Sequence, residues 1–294
     1  MTERDSWDLA AQARASDRWA KASADWNRAM TDALLAAAAF GADSVVLDVA
    51  AGSGDPALSI AERLMAGRVI ALDSSRTGLL LANTRARQVG LGSKIACIQG
   101  DAHAIPLARN CVDRITCRCG IMFFSDTGLV MSEMLRALKP GGRVALLAWG
   151  SFEQPFFEAT IGLVLRIVRG AEMPAAARAM FRFASPGSLK RALRAAGFYD
   201  VHEESLTVPR IWAGSPEELW TYQKEVSTLC HPLFARIPPA LRVQVDAEVS
   251  SALARFHSGS VLTMPVNVII AAGQRRPEKS CLQRPHSAGA KPDV

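Results

Sequence analysis

The chain has 294 residues, 49% of them apolar and 21% charged, enough to bury one large α/β domain or a core domain with a modest insertion. Its apolar runs, such as 45–47, 69–72 and 144–148, are about five residues long against the roughly 20 of a membrane span, and residues 1–9 carry Glu3, Asp5 and Asp8 without the apolar core of a signal peptide, so a cytoplasmic protein without integral membrane association is expected. The formal charge of +6 hints at nucleic acid until it is located: residues 274–294 hold five basic residues against two acidic ones, half of the excess, in a Pro/Ser/Gly-containing tail expected to lack fixed structure.

Residues 4–40 read as helical, with Trp7, Trp19, Trp26, Met30, Leu34 and Leu35 at helical spacings, and make an N-terminal cap over 1–40. The core domain follows over 41–273, opening on a strand over 44–49. A helix begins near Pro56, with Asp55 as its N-cap and Pro56 at its first position. Strands over 68–73, 94–99 and 113–118 alternate with helices over 77–89 and 127–138. The turn Lys139-Pro140-Gly141-Gly142 leads into a strand over 143–149. The stretch 152–182 breaks the rhythm with two apolar helical segments around 170–174. A helix over 186–196, ended by Gly197, and a strand over 201–208 restore it. A second helical patch over 216–256 precedes the last strand, 261–271. This alternation predicts a parallel sheet with helices on both faces. The insertions near 152–185 and 215–257, with the N-terminal helices, are expected to form a lid over the carboxyl ends of the strands, where open α/β sheets bind ligands.

Ligand chemistry concentrates at the first strand end, Val45-Val46-Leu47-Asp48-Val49-Ala50-Ala51-Gly52-Ser53-Gly54-Asp55-Pro56. Glycines in a strand–loop–helix turn let the backbone pass close beneath a ligand. Gly52-Ser53-Gly54-Asp55-Pro56-Ala57 even satisfies the dinucleotide pattern, and Asp73 lies at a suitable distance for a ribose contact. Asp48 discriminates. A carboxylate there would repel a pyrophosphate but attract the ammonium and sulfonium of S-adenosylmethionine. Asp73 ends the second strand, followed by Ser74, where its carboxylate can accept from both ribose hydroxyls. Asp101, just after the third strand in Gly100-Asp101-Ala102, can accept from an adenine amino group. Three acids, Asp48, Asp73 and Asp101, thus each end a different strand.

With Asp48 to Gly54, Asp73, Gly100-Asp101-Ala102 and Leu138-Lys139-Pro140-Gly141-Gly142-Arg143, the chain resembles the class I S-adenosylmethionine-dependent methyltransferases, most closely the ubiquinone/menaquinone-biosynthesis branch of small-molecule enzymes. The resemblance implies a Rossmann-like, doubly wound seven-stranded sheet with the last strand antiparallel. It also implies S-adenosyl-L-methionine as cofactor, with Asp48, Ala50, Gly52 and Gly54 around the methionine part, Asp73 and Ser74 at the ribose, Asp101 and Ala102 at the adenine, and the Arg118 backbone at the methionine amino group. One departure is that Ala50 stands where the family's first loop glycine falls, which is tolerable if its φ stays negative.

Methyl transfer is an in-line displacement on an activated carbon, for which alignment and desolvation suffice, so no catalytic base is required or assigned. His103, His202, His231 and His257 each read more simply as surface or loop residues. The acceptor is expected to be small and mostly apolar, aromatic, quinone-like or lipid-like. Trp26, Met122, Trp149 and His231 are its candidate contacts, among Phe123, Phe124, Phe152, Phe156 and Phe157. Amine methylation of nucleic acid would call for an Asn/Asp-Pro-Pro-aromatic motif after the fourth strand, where Arg118-Cys119-Gly120-Ile121-Met122-Phe123 stands instead. None of the six cysteines lies in a CxxC pair or at zinc spacing, so no metal is expected. The alternatives are an NAD(P)-dependent oxidoreductase, opposed by Asp48 and Asp101, and a non-catalytic S-adenosylmethionine-binding protein.

Overall fold

A computed structural model describes residues 15, 18, 19 and 21–278. The expected helix before residue 15 and the tail beyond residue 278 lie outside the described residues.

Five parallel strands carry the cofactor-type motifs: β1 (Val45–Val49), β2 (Arg68–Asp73), β3 (Ile95–Gln99), β4 (Val112–Arg118) and β5 (Leu138–Trp149). β6 (Tyr199–Trp212) and β8 (Val261–Gln274) complete a sheet of order β3-β2-β1-β4-β5-β8-β6, and the two-residue β7 (His257–Ser258) pairs with β8 alone. β8 runs antiparallel to both β5 and β6, as the resemblance implied. The order reverses between β1 and β4, which opens a crevice at their carboxyl ends.

Both faces of the sheet are covered, which explains why its strands read as continuous apolar runs. Along β5, Ala145 and Leu147 face one core, while Val144, Leu146 and Ala148 face another. The first core takes in α1 (Arg28–Ala38) and the helices of the two insertions. The second takes in α4 (Thr127–Ala137) and α8 (Ser188–Ala195). A third, smaller core lies under α2 (Ala57–Arg63) and α3 (Arg76–Gln88).

Local signals set the helix starts. Ser75 accepts from the Gly78 amide at the head of α3, and Asp126 accepts from the Leu129 amide at the head of α4. Ser215 and Glu218 form a reciprocal capping box around Pro216, so α9 (Pro216–Val226) starts where its sequence says. Asp55 is different: α2 begins at Ala57 with no side-chain cap, and the Asp55 carboxylate turns away to other partners.

Three strands run further than their patterns suggested, β6 by spanning Tyr199–Trp212 where 201–208 was expected. β5 includes residues 138–142, because Val112 pairs with Leu138 and Arg114 with Arg143 across a bulge in which Gly141 takes φ +77°. β8 continues to Gln274, which pairs with Arg143 and Tyr199. Arg275 then donates from its backbone to Gly142 and from its side chain to the carbonyls of Leu135, Arg136 and Leu138. The basic stretch expected to begin its unstructured course at Gln274 is therefore bound to the sheet through Arg275.

β6 and β8 also outrun β5 at the opposite end. Trp149 stands level with Val268 and Leu206, and the two strands continue past it to Trp212 and Leu262. That overhang carries α9, α10 (His231–Phe234) and α11 (Arg242–Ala254). The first insertion supplies α5 (Pro155–Ala159), α6 (Ile161–Ile167) and α7 (Ala175–Arg178).

Candidate active site

At the carboxyl edge the loop after β1 is laid down by backbone bonds to its neighbours. The Ala51 amide donates to the Leu72 carbonyl and the Gly52 amide to Asp73 Oδ2 at 2.8 Å. Asp73 Oδ1 accepts from the Ser75 amide at 2.8 Å, so one carboxylate fixes both the β1 loop and the head of α3. Burial raises the Asp73 pKa, partly offset by these amides. Carboxylate oxygens hold further lone pairs, so Asp73 can still accept from hydroxyl groups. Ser74 is exposed beside it, its carbonyl accepting from Gln99.

Gly52 takes φ +52° with open space where a Cβ would stand, and Gly54 takes φ +102° against Leu58 and Ala82. The φ of Gly52 favours glycine, and Gly54 needs it for both conformation and room. Ala50 departs from its expectation: its φ is +58°, in the left-handed region. The methyl group fits because Gly120, at the end of β4, leaves space for it. A Cβ on Gly120 would stand 2.5 Å from that of Ala50. Cys119, next to Gly120, is also left-handed at φ +55°, so two adjacent strand ends hold strained backbone side by side.

Asp48 is fully buried. Its Oδ1 accepts from Thr116 Oγ1 at 2.7 Å, while Oδ2 is buried with no hydrogen-bond partner. Burial pushes its pKa up to about 7, against the Thr116 bond and the positive Arg118, which pull it down. A buried carboxylate with one orphaned oxygen is a site awaiting a cation or donor.

Arg118 does more than present its backbone. Its side chain, 12% exposed, pairs with Asp55 and donates to Thr31 Oγ1 at 2.5 Å, while Thr31 itself donates to Asp55 Oδ1 at 3.2 Å. Burial works against the charge, but Asp55 and the weaker Cys119 and Asp48 contributions more than offset it and hold the Arg118 pKa above its ordinary value. The sequence reading gives Thr31 no role and Asp55 only that of a helix cap. Asp55 was masked by its resemblance to a cap, and Thr31 by its place in an apolar helix.

Asp101 caps a short 3-10 turn, its Oδ1 accepting from the His103 amide and ring Nδ1 at 2.9 and 2.7 Å. His103 Nε2 in turn accepts from the Asp126 amide at 3.3 Å, which fixes Nδ1 as the protonated nitrogen and ties the loop after β3 to the loop after β4. Ala102 is buried beside Asp101.

The candidate acceptor residues separate. Trp26 and Trp149 meet around the Arg210 side chain, with the guanidinium 3.8 and 5.4 Å from their ring centroids. Trp26 also packs edge-on to Phe156 and Trp212, and Trp149 to Phe157. Met122 is fully buried, as Trp26 is, but in the opposite core with Met131 and Met134, where the 3-10 turn after β4 places it. His231 heads α10, where its Nε2 donates to the Lys224 carbonyl at 2.9 Å, a bond that links two turns of the second insertion. Neither stands at the aromatic cluster. Arg210 was missed; its one signal was a charge on the same strand face as Trp212.

Residues 46–142 match the family described as methyltransferase domain. Over 175 residues the chain is 30% identical to a demethylmenaquinone methyltransferase of Thermus thermophilus, a match covering 55% of this chain and 77% of that one. It is 32% identical to a ubiquinone/menaquinone biosynthesis C-methyltransferase of Dinoroseobacter shibae, over 44% of this chain and half of the relative's length. The fold matches that of a phosphoethanolamine N-methyltransferase of Haemonchus contortus solved with S-adenosyl-L-methionine, with a TM-score of 0.55, 17% identity, and coverage of 94% of this chain and 58% of that one. The chain therefore belongs to the class I S-adenosylmethionine-dependent methyltransferases, is an enzyme that transfers a methyl group to a small molecule, and takes S-adenosyl-L-methionine as its methyl donor.

Proposed function

We propose that the acceptor is a small, mostly apolar molecule with an aromatic or quinone-like ring, and that it is methylated against the wall formed by Trp26, Trp149, Phe156 and Phe157. The observation that carries this reading is the position of that wall. Trp149 closes β5 and stays partly exposed at the carboxyl edge, while Trp26, Phe156 and Phe157 are buried behind it in ring pairs 5.2 to 5.5 Å apart. Aromatic surfaces of this kind bury flat apolar ligands well. The Thermus demethylmenaquinone methyltransferase and the Dinoroseobacter ubiquinone/menaquinone biosynthesis C-methyltransferase, to which the chain is similar, support the same choice.

For the cofactor, Asp73 would hold the ribose hydroxyls, with Ser74 beside it. Asp101 and the Ala102 backbone would hold the adenine. The orphaned oxygen of Asp48, the opening at Gly52, the Gly54 turn and the Ala50 and Arg118 strand ends would surround the methionine part. The residues fit the group, since Asp48 Oδ2 is the one buried carboxylate oxygen without a hydrogen-bond partner among the described residues, and the donor would bring positive charge to it. S-adenosylmethionine supplies a methyl carbon already activated by positive sulfur. The chain's part is to align the acceptor and exclude water. We further propose that the enzyme is cytoplasmic and acts on free small molecules; no helix among the described residues is long and apolar enough to cross a membrane.

Assays with radiolabelled methyl donor test the acceptor class: quinols, phenols and amines against tRNA, DNA and protein. Turnover of quinols or phenols is expected. Methylation of a macromolecule, with no small acceptor turned over, would overturn the proposal.

A further inference from the structure

Arg210 is 7% exposed, and among the described residues no carboxylate pairs with it. Its Nε donates to the Trp26 carbonyl at 3.1 Å and its Nη2 to Asn27 Oδ1 at 2.9 Å, both neutral acceptors. The ring centroids of Trp26, Phe156 and Trp149 lie 3.8, 5.1 and 5.4 Å from the guanidinium carbon. A guanidinium has five N–H donors, and these contacts use two of them.

Among the described residues its surroundings add no negative charge. The groups that act on it electrostatically are Tyr222 of α9, Cys119 at the end of β4 and Arg118 beside it. Arg118 is a second cation, but Asp55 answers its charge. Arg210 has no such answer. Burial pushes its pKa down to about 9, which leaves it charged at neutral pH. Buried arginines are normally paired, because an uncompensated charge in a low-dielectric interior is costly. As a clamp between β6 and the head of α1, an uncharged side chain of similar size would pack equally well against three rings without that cost.

Position gives the missing counter-charge a source. Arg210 lies on the overhang of β6, past the level of Trp149, on the side of the sheet where β1 to β5 end. Its rings are the wall assigned above to the acceptor. We propose that Arg210 is the recognition site for an anionic oxygen, carboxylate or phenolate, on an aromatic acceptor whose ring packs against Trp149, the partly exposed member of the three rings. The inference rests on the small-molecule methyltransferase reading and deepens it. It adds one negative charge to the small, mostly apolar acceptor proposed above. An anion also complements the positive charge that the methyl donor brings to the same edge.

The test uses the full-length chain saturated with S-adenosylhomocysteine and titrates matched pairs by calorimetry. These are 2-naphthoate against 2-naphthamide, and 4-nitrophenolate against nitrobenzene. The charged member is expected to bind about tenfold or more tightly than its neutral partner. Whichever pair shows the larger preference identifies the oxygen as carboxylate or phenolate. Arg210→Met should erase that preference while leaving S-adenosylhomocysteine affinity within about twofold. Equal affinity within both pairs, undetectable binding of all four probes, or a preference that survives in Arg210→Met would each overturn the assignment. Should Arg210→Met fail to fold, Arg210→Lys, which keeps the charge but loses the planar fork, is expected to weaken the preference, and an unchanged preference counts against the assignment. If S-adenosylhomocysteine itself does not bind, the methyltransferase reading fails separately, and the probe pairs titrated alone still decide the role of Arg210.

Discussion

From Asp48 to Arg118 the sheet edge is assembled from neighbours. Gly52 reaches Asp73 on the adjacent strand, Thr116 reaches Asp48, and Ser75 and Asp101 cap the turns that follow their own strands. The aromatic half is assembled across the chain. Trp26 meets Phe156 and Trp212, and Arg210 spans from β6 to the carbonyl of Trp26. In the first region backbone amides and carboxylates set the geometry and hydrophobic packing only supports it. In the second, packing is the geometry. The difference teaches that cofactor binding and acceptor binding in this fold respond to different kinds of substitution.

The comparison breaks most visibly at Trp212, which is fully buried. Trp212→Ala should destabilise the fold by about 3–5 kcal/mol, the usual cost of emptying a large aromatic site. Its folded fraction should bind S-adenosylhomocysteine as the wild type does. Denaturant melts with and without ligand measure both, and a selective loss of cofactor affinity would show that the two halves are not separable.

Next is the pH response of Asp48. Its folded pKa, about 7, lies above its ordinary value, so the native state holds more protons than the unfolded one between the ordinary carboxylate range and about pH 7. Stability of the ligand-free protein should therefore fall as pH rises through that window, by about 4 kcal/mol at most from this group. Asp48→Asn should flatten the profile. Melting curves from pH 4 to 8 that are superimposable for the two proteins would contradict it.

Asp73→Ala removes the partner of two loop amides and a proposed ligand contact. A loss of about 1.5–3 kcal/mol in S-adenosylhomocysteine binding is expected, with the strands intact. Unchanged affinity in a folded variant would take Asp73 out of the site.

The strained pair offers a finer probe. Ala50→Gly should stabilise by about 1 kcal/mol by relieving left-handed backbone. Gly120→Ala should destabilise through its collision with the Ala50 methyl, and the double variant should recover part of that loss. Strict additivity would show that the two loops do not share this space.

The smallest effect is expected at His231. Its bond to the Lys224 carbonyl is worth about 1 kcal/mol, so His231→Ala should cost no more than that in stability and leave methyl transfer unchanged. A fall in turnover without loss of stability would return His231 to the acceptor site.

The parallel strands and the acids at their ends were legible because each is written locally, as an apolar run that stops at a carboxylate and a turn. Asp48, Asp73 and Asp101 stand at three neighbouring strand ends for this reason. What escaped was set by distant partners. Asp55 looks like a cap until Arg118 is placed beside it, and the left-handed Ala50 depends on the absence of a side chain at Gly120, far along the chain. The length of β8 depends on pairing with both β5 and β6, which no pattern within 261–274 announces. Met122 looked like pocket because the run after β4 is apolar throughout. Burial beneath the sheet edge and exposure to a ligand above it favour the same residues.

The central claim is that strand-end carboxylates, with Asp48 the most deeply buried of them, hold the methyl donor. Titration of S-adenosylhomocysteine into wild type and Asp48→Asn at pH 8, where the wild-type carboxylate is ionised, tests it most directly. The wild type should bind one equivalent, and the folded variant should bind about tenfold or more weakly, the loss of one charge-assisted contact. Equal affinity in the two proteins would contradict the account.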